Sequence, residues 1–207
     1  EQARRYVEAA ERAKELILAA TGDPAGHPYI QRKGITPRGV HVDADGNLLI
    51  PVYQDFGQVA SVQTISAEGE KLFMPGGRMQ ASFHPILGSN KSRVLVCEGY
   101  ATGAALSAAT GHPAACAMSA GNMAAVVRFM RRKFPEREII ACPDNDWATE
   151  ARTGRNPGLD AVADLGVRVL APQFPADSDP SHTDWDDWLR HHGSRGELLA
   201  LLAGGPD

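Results

Sequence analysis

The segment Arg93-Val-Leu-Val-Cys-Glu-Gly-Tyr100, together with Ile139-Ile-Ala-Cys-Pro-Asp-Asn-Asp146, decides the fold of this 207-residue chain. Each segment is a short apolar run of strand length that ends abruptly in carboxylates. Runs of Val, Leu and Ile without polar alternation are typical of parallel strands that are buried on both faces. In open α/β sheets, ligands bind at the carboxyl ends of the strands. We therefore expect Glu98, Asp144 and Asp146 to converge at one edge of a parallel sheet.

Carboxylates at this edge indicate a site for a hard divalent cation. An ionised carboxylate is costly to desolvate without a partner, and carboxylate oxygens are the ligands that Mg²⁺ takes from proteins. The alternative is that Asp144 and Asp146 cap or turn the chain before the next helix, where Asp is common. That alternative explains one Asp, but not an Asp-x-Asp after one buried strand and a Glu-Gly after another. We favour the metal site.

The composition is that of an ordinary globular protein, with 43% hydrophobic and 22% charged residues. A net charge of -4 gives no overall basic character, so contact with nucleic acid would need a local patch. No apolar run approaches the roughly 20 residues that span a bilayer, which predicts a cytoplasmic protein without membrane contact. Three widely spaced cysteines in or beside predicted core strands argue against a disulfide framework and against a zinc site. The chain begins at Glu1 rather than at a methionine, so we expect it to be a piece of a longer protein.

The pattern changes near residue 90 and predicts two domains. Residues 1–90 begin with a helical segment and continue with short strands and hairpin turns, which indicates a small α+β subdomain with antiparallel strands. In residues 91–207, strands and helices alternate, which predicts an α/β domain with a mostly parallel sheet. The predicted strands of the second domain are 93–97, 114–118, 138–142 and 167–170, and its helices lie near 101–109, from 119 to 133, from 156 to 165 and from 185.

These motifs resemble those of the Toprim domain, which bacterial primases, topoisomerases and some nucleases share. The pair Glu98-Gly99 after one hydrophobic strand and Asp144-x-Asp146 after a later one carry the resemblance. Further stretches resemble the catalytic core of DnaG-type primases, and most closely those of plasmids and phages: Tyr29-Ile-Gln-Arg-Lys-Gly34, Gly69-Glu-Lys-Leu-Phe-Met-Pro-Gly76, Cys97-Glu-Gly-Tyr-Ala-Thr-Gly103, Ala120-Gly-Asn122 and Thr183-Asp-Trp-Asp-Asp187.

The resemblance implies a Rossmann-like, mostly parallel sheet flanked by helices, and an enzyme that makes short RNA primers on single-stranded DNA. In that reaction a 3′-hydroxyl displaces pyrophosphate from a nucleoside triphosphate, and Mg²⁺ or Mn²⁺ stabilises the entering and leaving oxygens. By resemblance, Asp144 and Asp146 are metal ligands, and Glu98 is a further ligand or a general acid/base. Asp184 and Asp187 join the same cluster, with Asp186 a weaker candidate. Helix capping by Asp184 is the alternative.

The resemblance also supplies candidate phosphate-binding residues. Lys33 and Lys71 match family positions and would hold triphosphate or template phosphates, although most single lysines only solvate a surface. Arg32 and Arg78 are weaker candidates of the same kind. Free backbone N–H groups near a strand-to-helix junction favour phosphate, with ordinary capping as the alternative, at Ser119, Gly121 and Asn122. Gly99, a further phosphate-binding candidate, and Gly103 are expected to permit close backbone approach beside Glu98. The basic run from Arg128 to Lys133 is interpreted as a solvated helix face rather than a nucleic-acid groove.

Two other functions use the same residues. A Toprim-type nuclease would activate water with the same carboxylates, and a non-catalytic nucleic-acid-binding module would keep the fold as a scaffold. For the primase, the expected partners are a single-stranded DNA template and nucleoside triphosphates. A replicative helicase or a zinc-binding module is expected elsewhere in the full-length protein.

Overall fold

The computed structural model of the chain describes residues 1–204. The chain divides into two compact units, residues 1–85 and 86–207. The first unit carries an antiparallel sheet and the second a mostly parallel sheet flanked by helices, which confirms the fold class. Whether residues 1–90 and 91–207 act as separate domains stays a prediction.

The first unit packs one long helix against an antiparallel sheet. Its elements are α1 (Gln2–Ala19), a 3₁₀ turn (Pro24–Gly26), α2 (Pro28–Lys33), β1 (His41–Val42), β2 (Leu48–Asp55), β3 (Gln58–Ile65) and β4 (Lys71–Phe73). The four strands follow chain order in the sheet, because tight turns such as the one at Gly57 (φ 84°) join neighbours directly. The small side chain of Ala13 on α1 packs with Leu49 and Val62 of the sheet, so the helix lies close to the strands.

Helix α2 was not predicted from the sequence. Pro28 occupies its first turn, the His27 ring accepts a hydrogen bond from the Tyr29 N–H at 3.2 Å, and Gly34 ends it with φ 62°. Proline at the start and glycine just past the end are ordinary helix boundary signals. They mark a six-residue helix that is too short for a periodic pattern to reveal.

The second unit alternates strands and helices. Its elements are β5 (His84–Ile86, which begins in the first unit), β6 (Arg93–Cys97), α3 (Tyr100–Thr110), β7 (Ala114–Cys116), α4 (Ala120–Lys133), β8 (Glu138–Cys142), α5 (Trp147–Thr153), α6 (Pro157–Asp160), β9 (Arg168–Val169), α7 (Trp185–His191) and α8 (Arg195–Ala203). The strand order is β5-β7-β6-β8-β9. The pairs of β6 with β7, β6 with β8 and β8 with β9 are parallel. Cys97 lies opposite both Cys116 and Cys142, so these strands end at the same level.

In the second unit, one predicted helix is too long and another helix was not predicted. The helix expected from 156 to 165 covers only Pro157–Asp160, because the next residues form i to i+3 turns such as Leu165 N–H to Val162 O. Helix α5 was missed altogether. It begins directly after the Asp pair and ends at Gly154 (φ 72°), so the loop expected there is half helix.

The three cysteines and two of the three tryptophans are core residues. All three cysteines are buried and free of disulfides, and burial raises the pKa of the Cys142 thiol to about 12. Trp185 and Trp188 are 0% and 8% exposed, and their indole N–H groups donate to the carbonyls of Leu170 and Gln173, each at 3.1 Å. These residues therefore pack the domain rather than serve the chemistry. Within residues 1–204, none of the helices combines the length and the apolar character that crossing a membrane requires.

Candidate functional site

Residues that follow β6 and β8 meet at Gly158. The Gly158 N–H donates to Asp146 Oδ2 at 3.1 Å. A Cβ placed on Gly158 would lie 3.2 Å from Glu98 Oε1 and 2.1 Å from the Asp144 carbonyl oxygen. Only a glycine allows the α6 backbone to approach both strand ends this closely. The structure thus places the Glu98 and Asp146 side chains and the Asp144 backbone around Gly158, although Glu98 lies more than 40 residues before the Asp pair in the chain.

The pKa of the Glu98 carboxyl lies close to neutral pH. Burial raises its pKa to about 6, and the negative charges of Asp146 and Asp184 act in the same direction. The backbone N–H groups of Asp144 and Ala120 oppose this shift, since they stabilise the ionised form. Glu98 Oε1 is buried and has no hydrogen-bond partner among residues 1–204. An acid in this state is ready to exchange a proton or to bind a cation.

The acidic residues at the start of α7 form a second group. One carboxylate oxygen from each of Asp184, Asp186 and Asp187 lies within 4.8 Å of the others. Asp184 caps the helix, since its Oδ1 accepts the Asp187 N–H at 2.8 Å. Its Oδ2 accepts the Thr102 hydroxyl at 3.1 Å, which links α7 to α3. Asp184 therefore caps α7 and also lies in a group of three acidic side chains, whereas metal binding by this residue stays a prediction.

The three acids of this group have different surroundings. Asp186 is 1% exposed, and its Oδ2 lies 3.6 Å from Arg190 Nη1. Asp187 is half-buried and accepts the Thr183 N–H at 3.2 Å. Asp184 is also half-buried and is the one whose charge reaches Glu98. Asp184 therefore belongs electrostatically to the strand-end site, whereas Asp186 faces a cation of its own helix.

The donor set at the strand ends fits a hard divalent cation. Every side chain in it is a carboxylate, and Glu98 contributes a buried oxygen that lacks a hydrogen-bond donor among the described residues. Mg²⁺ and Mn²⁺ take oxygen ligands of this kind, and Mg²⁺ completes its octahedron with water and phosphate oxygens. A divalent metal site is thus consistent with the chemistry of these residues.

Sequence reasoning missed the side chain that organises the Asp loop, which is Asn156. It is 3% exposed, and its Oδ1 accepts the backbone N–H of Asp146 at 3.1 Å. Its Nδ2 donates to Asn145 Oδ1 at 2.8 Å and to Glu150 Oε2 at 3.0 Å. Asn156-Pro157-Gly158 was recognisable as a helix start. Its contacts with the loop 10 residues earlier were not recognisable, because they are tertiary.

Asn145 continues this network away from the site. Its backbone N–H donates to the Thr183 carbonyl and its Nδ2 to the Pro172 carbonyl, each at 2.7 Å. The loop of Asp144 and Asp146 is thereby tied to the segment that precedes α7. The residue between the two aspartates is structural, and its buried amide explains why an Asn stands there.

The candidates at the start of α4 differ in accessibility. Ser119 caps the helix without a side-chain hydrogen bond and is exposed, as is Gly121. Asn122 is 7% exposed, and its Nδ2 donates to the Ala117 carbonyl at 2.8 Å. A Cβ on Gly99 would make only ordinary contact, 3.7 Å from Thr102 Oγ1. Ser119 and Gly121 are therefore open to a ligand, whereas Asn122 holds the end of β7.

In the first unit, two candidate cations gather around Tyr29. Lys71 Nζ lies 5.8 Å from the centroid of the Tyr29 ring. Arg32 Nη1 donates to the Ala67 carbonyl at 2.6 Å, and a Cβ on Gly69 would lie within 4 Å of both Arg32 and Tyr29. The other two candidates lie nearby in sequence: Lys33 is the half-buried last residue of α2, and Arg78 is half-buried in the loop after β4.

Comparison with known proteins agrees with this architecture. Residues 93–195 match the Toprim domain family. A DNA primase TraC of Escherichia coli is 32% identical over 162 residues, which are 73% of this chain and 11% of that protein. The chain therefore spans about a tenth of the length of this curated relative.

Solved structures show the same fold. A DnaG primase catalytic domain bound to single-stranded DNA matches with a TM-score of 0.56 and 14% identity, over 98% of this chain and 79% of that chain. The RNA polymerase domain of Mycobacterium tuberculosis primase DnaG matches with a TM-score of 0.54 and 17% identity, over 98% and 84%. Residues 93–195 thus belong to the Toprim domain family, and the chain has the fold of a DnaG-type primase catalytic core.

Proposed function

We propose that this chain is the polymerising core of a primase, which joins nucleoside triphosphates into a short RNA primer on a single-stranded DNA template. The observation that carries the proposal is the convergence of the Glu98 carboxylate, the Asp146 carboxylate and the Asp144 backbone on Gly158 at the strand ends. The identity of 32% to a DNA primase supports the same reaction. A zinc-binding module and a helicase-interacting segment belong to the proposed full-length protein.

The acidic residues hold the metal in this proposal. Asp144, Asp146 and Asp184 bind Mg²⁺ or Mn²⁺, and Asp187 supports them from the first turn of α7. Bound divalent ions stabilise negative charge on the attacking and leaving oxygens of a phosphoryl transfer. We leave Asp186 out of the ligand set, because its carboxylate is buried beside Arg190.

Glu98 manages the proton of the attacking hydroxyl. A general acid/base works best when its pKa is close to the working pH, and burial places the pKa of Glu98 at about 6. Glu98 is therefore largely ionised at pH 7 and able to accept a proton without a large energetic cost. We assign this transfer to Oε1, which has no hydrogen-bond partner among residues 1–204.

Basic residues and backbone amides hold the phosphates. Lys71, which lies over the Tyr29 ring, and Arg32, which lies beside the turn at Gly69, bind template or triphosphate oxygens. We assign weaker roles of the same kind to Lys33 and Arg78. In the second unit, the exposed N-terminus of α4 offers the free N–H groups of Ser119 and Gly121 to a phosphate.

Primer synthesis by the purified chain tests the proposal. The chain is incubated with labelled nucleoside triphosphates, unlabelled single-stranded DNA and Mg²⁺ or Mn²⁺, and the products are resolved by length. We expect short labelled RNA that depends on metal and on template. In a parallel reaction with end-labelled DNA, we expect the DNA to keep its length.

Two aspartate variants provide the matched comparison. Asp146→Asn removes a ligand of nearly the same shape, and we expect it to reduce synthesis by more than about 100-fold. Asp164→Asn is the control, since Asp164 is exposed in the turn after α6. Shortened DNA without labelled RNA would identify a nuclease. Equal activity of the Asp146→Asn variant and the unaltered chain would refute the assignment of the site.

A further inference from the structure

A cleft lies at the amino ends of β8 and β9, at the opposite end of these strands from the carboxylates. It has a volume of about 470 Å³ and is lined by Arg131, Phe134, Arg137, Glu138, Gly166 and Arg168, among others. A second depression of about 350 Å³ is lined by Arg128, Arg131 and Arg132. Because Arg131 lines both, we treat them as one surface and call it the arginine cleft. The five residues of β8 place it roughly 17 Å from the strand ends.

The arginine cleft carries an excess of positive charge. Residues 128–138 contain five cationic and two acidic side chains, in a chain whose net charge is -4. Glu138 is already paired, with Arg93 at 2.6 Å and Arg168 at 3.8 Å. Arg128 and Arg132 are exposed and form no ion pair with any residue that the structure describes. Arg137 is paired with Glu136 at 3.7 Å, so the charge available to an external anion is that of Arg128, Arg131 and Arg132.

Stabilisation of the helix dipole explains only part of this charge. Cations in the last turn of a helix interact favourably with its C-terminus, which accounts for Arg131, Arg132 and Lys133. It does not account for Arg128, which lies more than a turn before the end of α4, or for Arg137, which lies beyond it.

Several guanidinium groups of the arginine cleft are held in place. Arg131 Nη1 donates to the Leu165 carbonyl at 3.1 Å. Arg137 Cζ lies 4.3 Å from the centroid of the Phe134 ring. Fixed guanidinium groups match phosphate oxygens with little loss of side-chain entropy. A cation on an aromatic ring is also the arrangement on which nucleic-acid bases stack in channels for single strands.

We propose that the arginine cleft is a second binding surface for single-stranded nucleic acid, separate from the carboxylate site. Arg128, Arg131 and Arg132 bind successive backbone phosphates, and the stack of Arg137 on Phe134 receives a base. An acidic peptide would match the charge of the cleft, but it has no base to stack on Arg137 and Phe134. The proposal goes beyond primer synthesis, because binding at this surface requires neither metal nor triphosphate.

Fluorescence anisotropy with a labelled 30-nucleotide oligo-dT, without divalent metal, tests the surface. We expect the double variant Arg128→Ala/Arg132→Ala to weaken binding at least 10-fold. The slope of log K against log salt should fall by about 1.4, which corresponds to two lost contacts with single-stranded phosphates. Arg128→Lys/Arg132→Lys should keep most of the slope, because it keeps both charges.

The control removes two positive charges elsewhere. Arg4→Ala/Lys14→Ala changes the net charge equally on α1, where both cations are exposed and paired with helix neighbours, and we expect affinity to change less than twofold. Unchanged DNA binding by the Arg128/Arg132 double variant overturns the proposal. If the same variant also loses binding to a labelled poly-glutamate peptide, the surface binds an acidic peptide instead of nucleic acid. If the unaltered chain makes no primers, the proposed function is refuted. Loss of DNA binding in the double variant would still support the binding surface.

Discussion

The two ends of strands β6 and β8 carry similar acids in opposite circumstances. At the amino end, Glu138 is paired with Arg93 at 2.6 Å and is neutralised within the protein. At the carboxyl end, Glu98 and Asp146 form no ion pair with any residue from 1 to 204, and both are half-buried. Acids of the first kind contribute to folding alone. Within the described residues, acids of the second kind are stabilised by backbone N–H groups alone, so a proton or an external cation at the site would stabilise them further.

The largest expected effect comes from the same substitution at the two ends. Glu98→Gln removes the acid/base group, and we expect primer synthesis to fall by roughly 100- to 10,000-fold. Glu138→Gln removes a paired surface acid, and we expect less than a twofold change. The measurement is the rate of labelled RNA formation at saturating triphosphate, with circular dichroism to check that both variants are folded. If folded Glu138→Gln also lost most of its primer synthesis, the two ends of the strands would not differ in function.

The sequence was sufficient to predict that the strand ends meet. Glu98 and the Asp pair each follow a buried apolar run, and the parallel register of Cys97 with Cys142 then brings the acids to one level. Asn156 was out of reach because its role depends on Asp146 and Asn145, which α5 separates from it. Gly103 was predicted to permit close backbone approach, but beside Glu98. A Cβ there would lie 2.4 Å from Cys116 Sγ, so the close approach is to the end of β7, which only the packing of α3 on the sheet reveals.

A positioning residue of the carboxyl end is the next target. Asn156→Ala removes the acceptor for the Asp146 N–H and both donors to the loop. We expect the affinity for Mn²⁺ to fall by 10- to 100-fold, which is typical when an outer-shell partner of a metal site is lost. The measurement is calorimetric titration of Mn²⁺ into the metal-free chain.

The conservative variant separates metal positioning from helix capping. Asn156→Ser keeps a capping oxygen for α6 but loses the amide donors to Asn145 and Glu150. We expect it to recover most of the thermal stability and little of the Mn²⁺ affinity. If Asn156→Ser restored both, Asn156 would act only as a cap.

The pH dependence of stability distinguishes the two ends further. Burial raises the pKa of Glu98 from 4.5 to about 6, so the folded protein binds this proton more tightly than the unfolded chain does. Stability of the metal-free protein should therefore fall as the pH rises from about 4.5 to about 6, by up to about 2 kcal/mol from this residue. Urea denaturation at a series of pH values measures it. Glu98→Gln should remove this contribution, whereas an identical slope in that variant would assign the titration to another group.

The smallest effect is expected at the amino end, where the Arg93–Glu138 pair is already satisfied. The two side chains are 27% and 40% exposed, so water screens their attraction, and exposed pairs typically contribute about 0.2–1 kcal/mol. A double-mutant cycle with Arg93→Ala and Glu138→Ala should give a coupling energy in that range, which decreases with added salt. Mn²⁺ affinity should stay constant in all members of the cycle, because the strands fix the strand ends independently of this pair. If the cycle altered Mn²⁺ binding, the amino end would be coupled to the site, and the two ends could not be treated as separate charge systems.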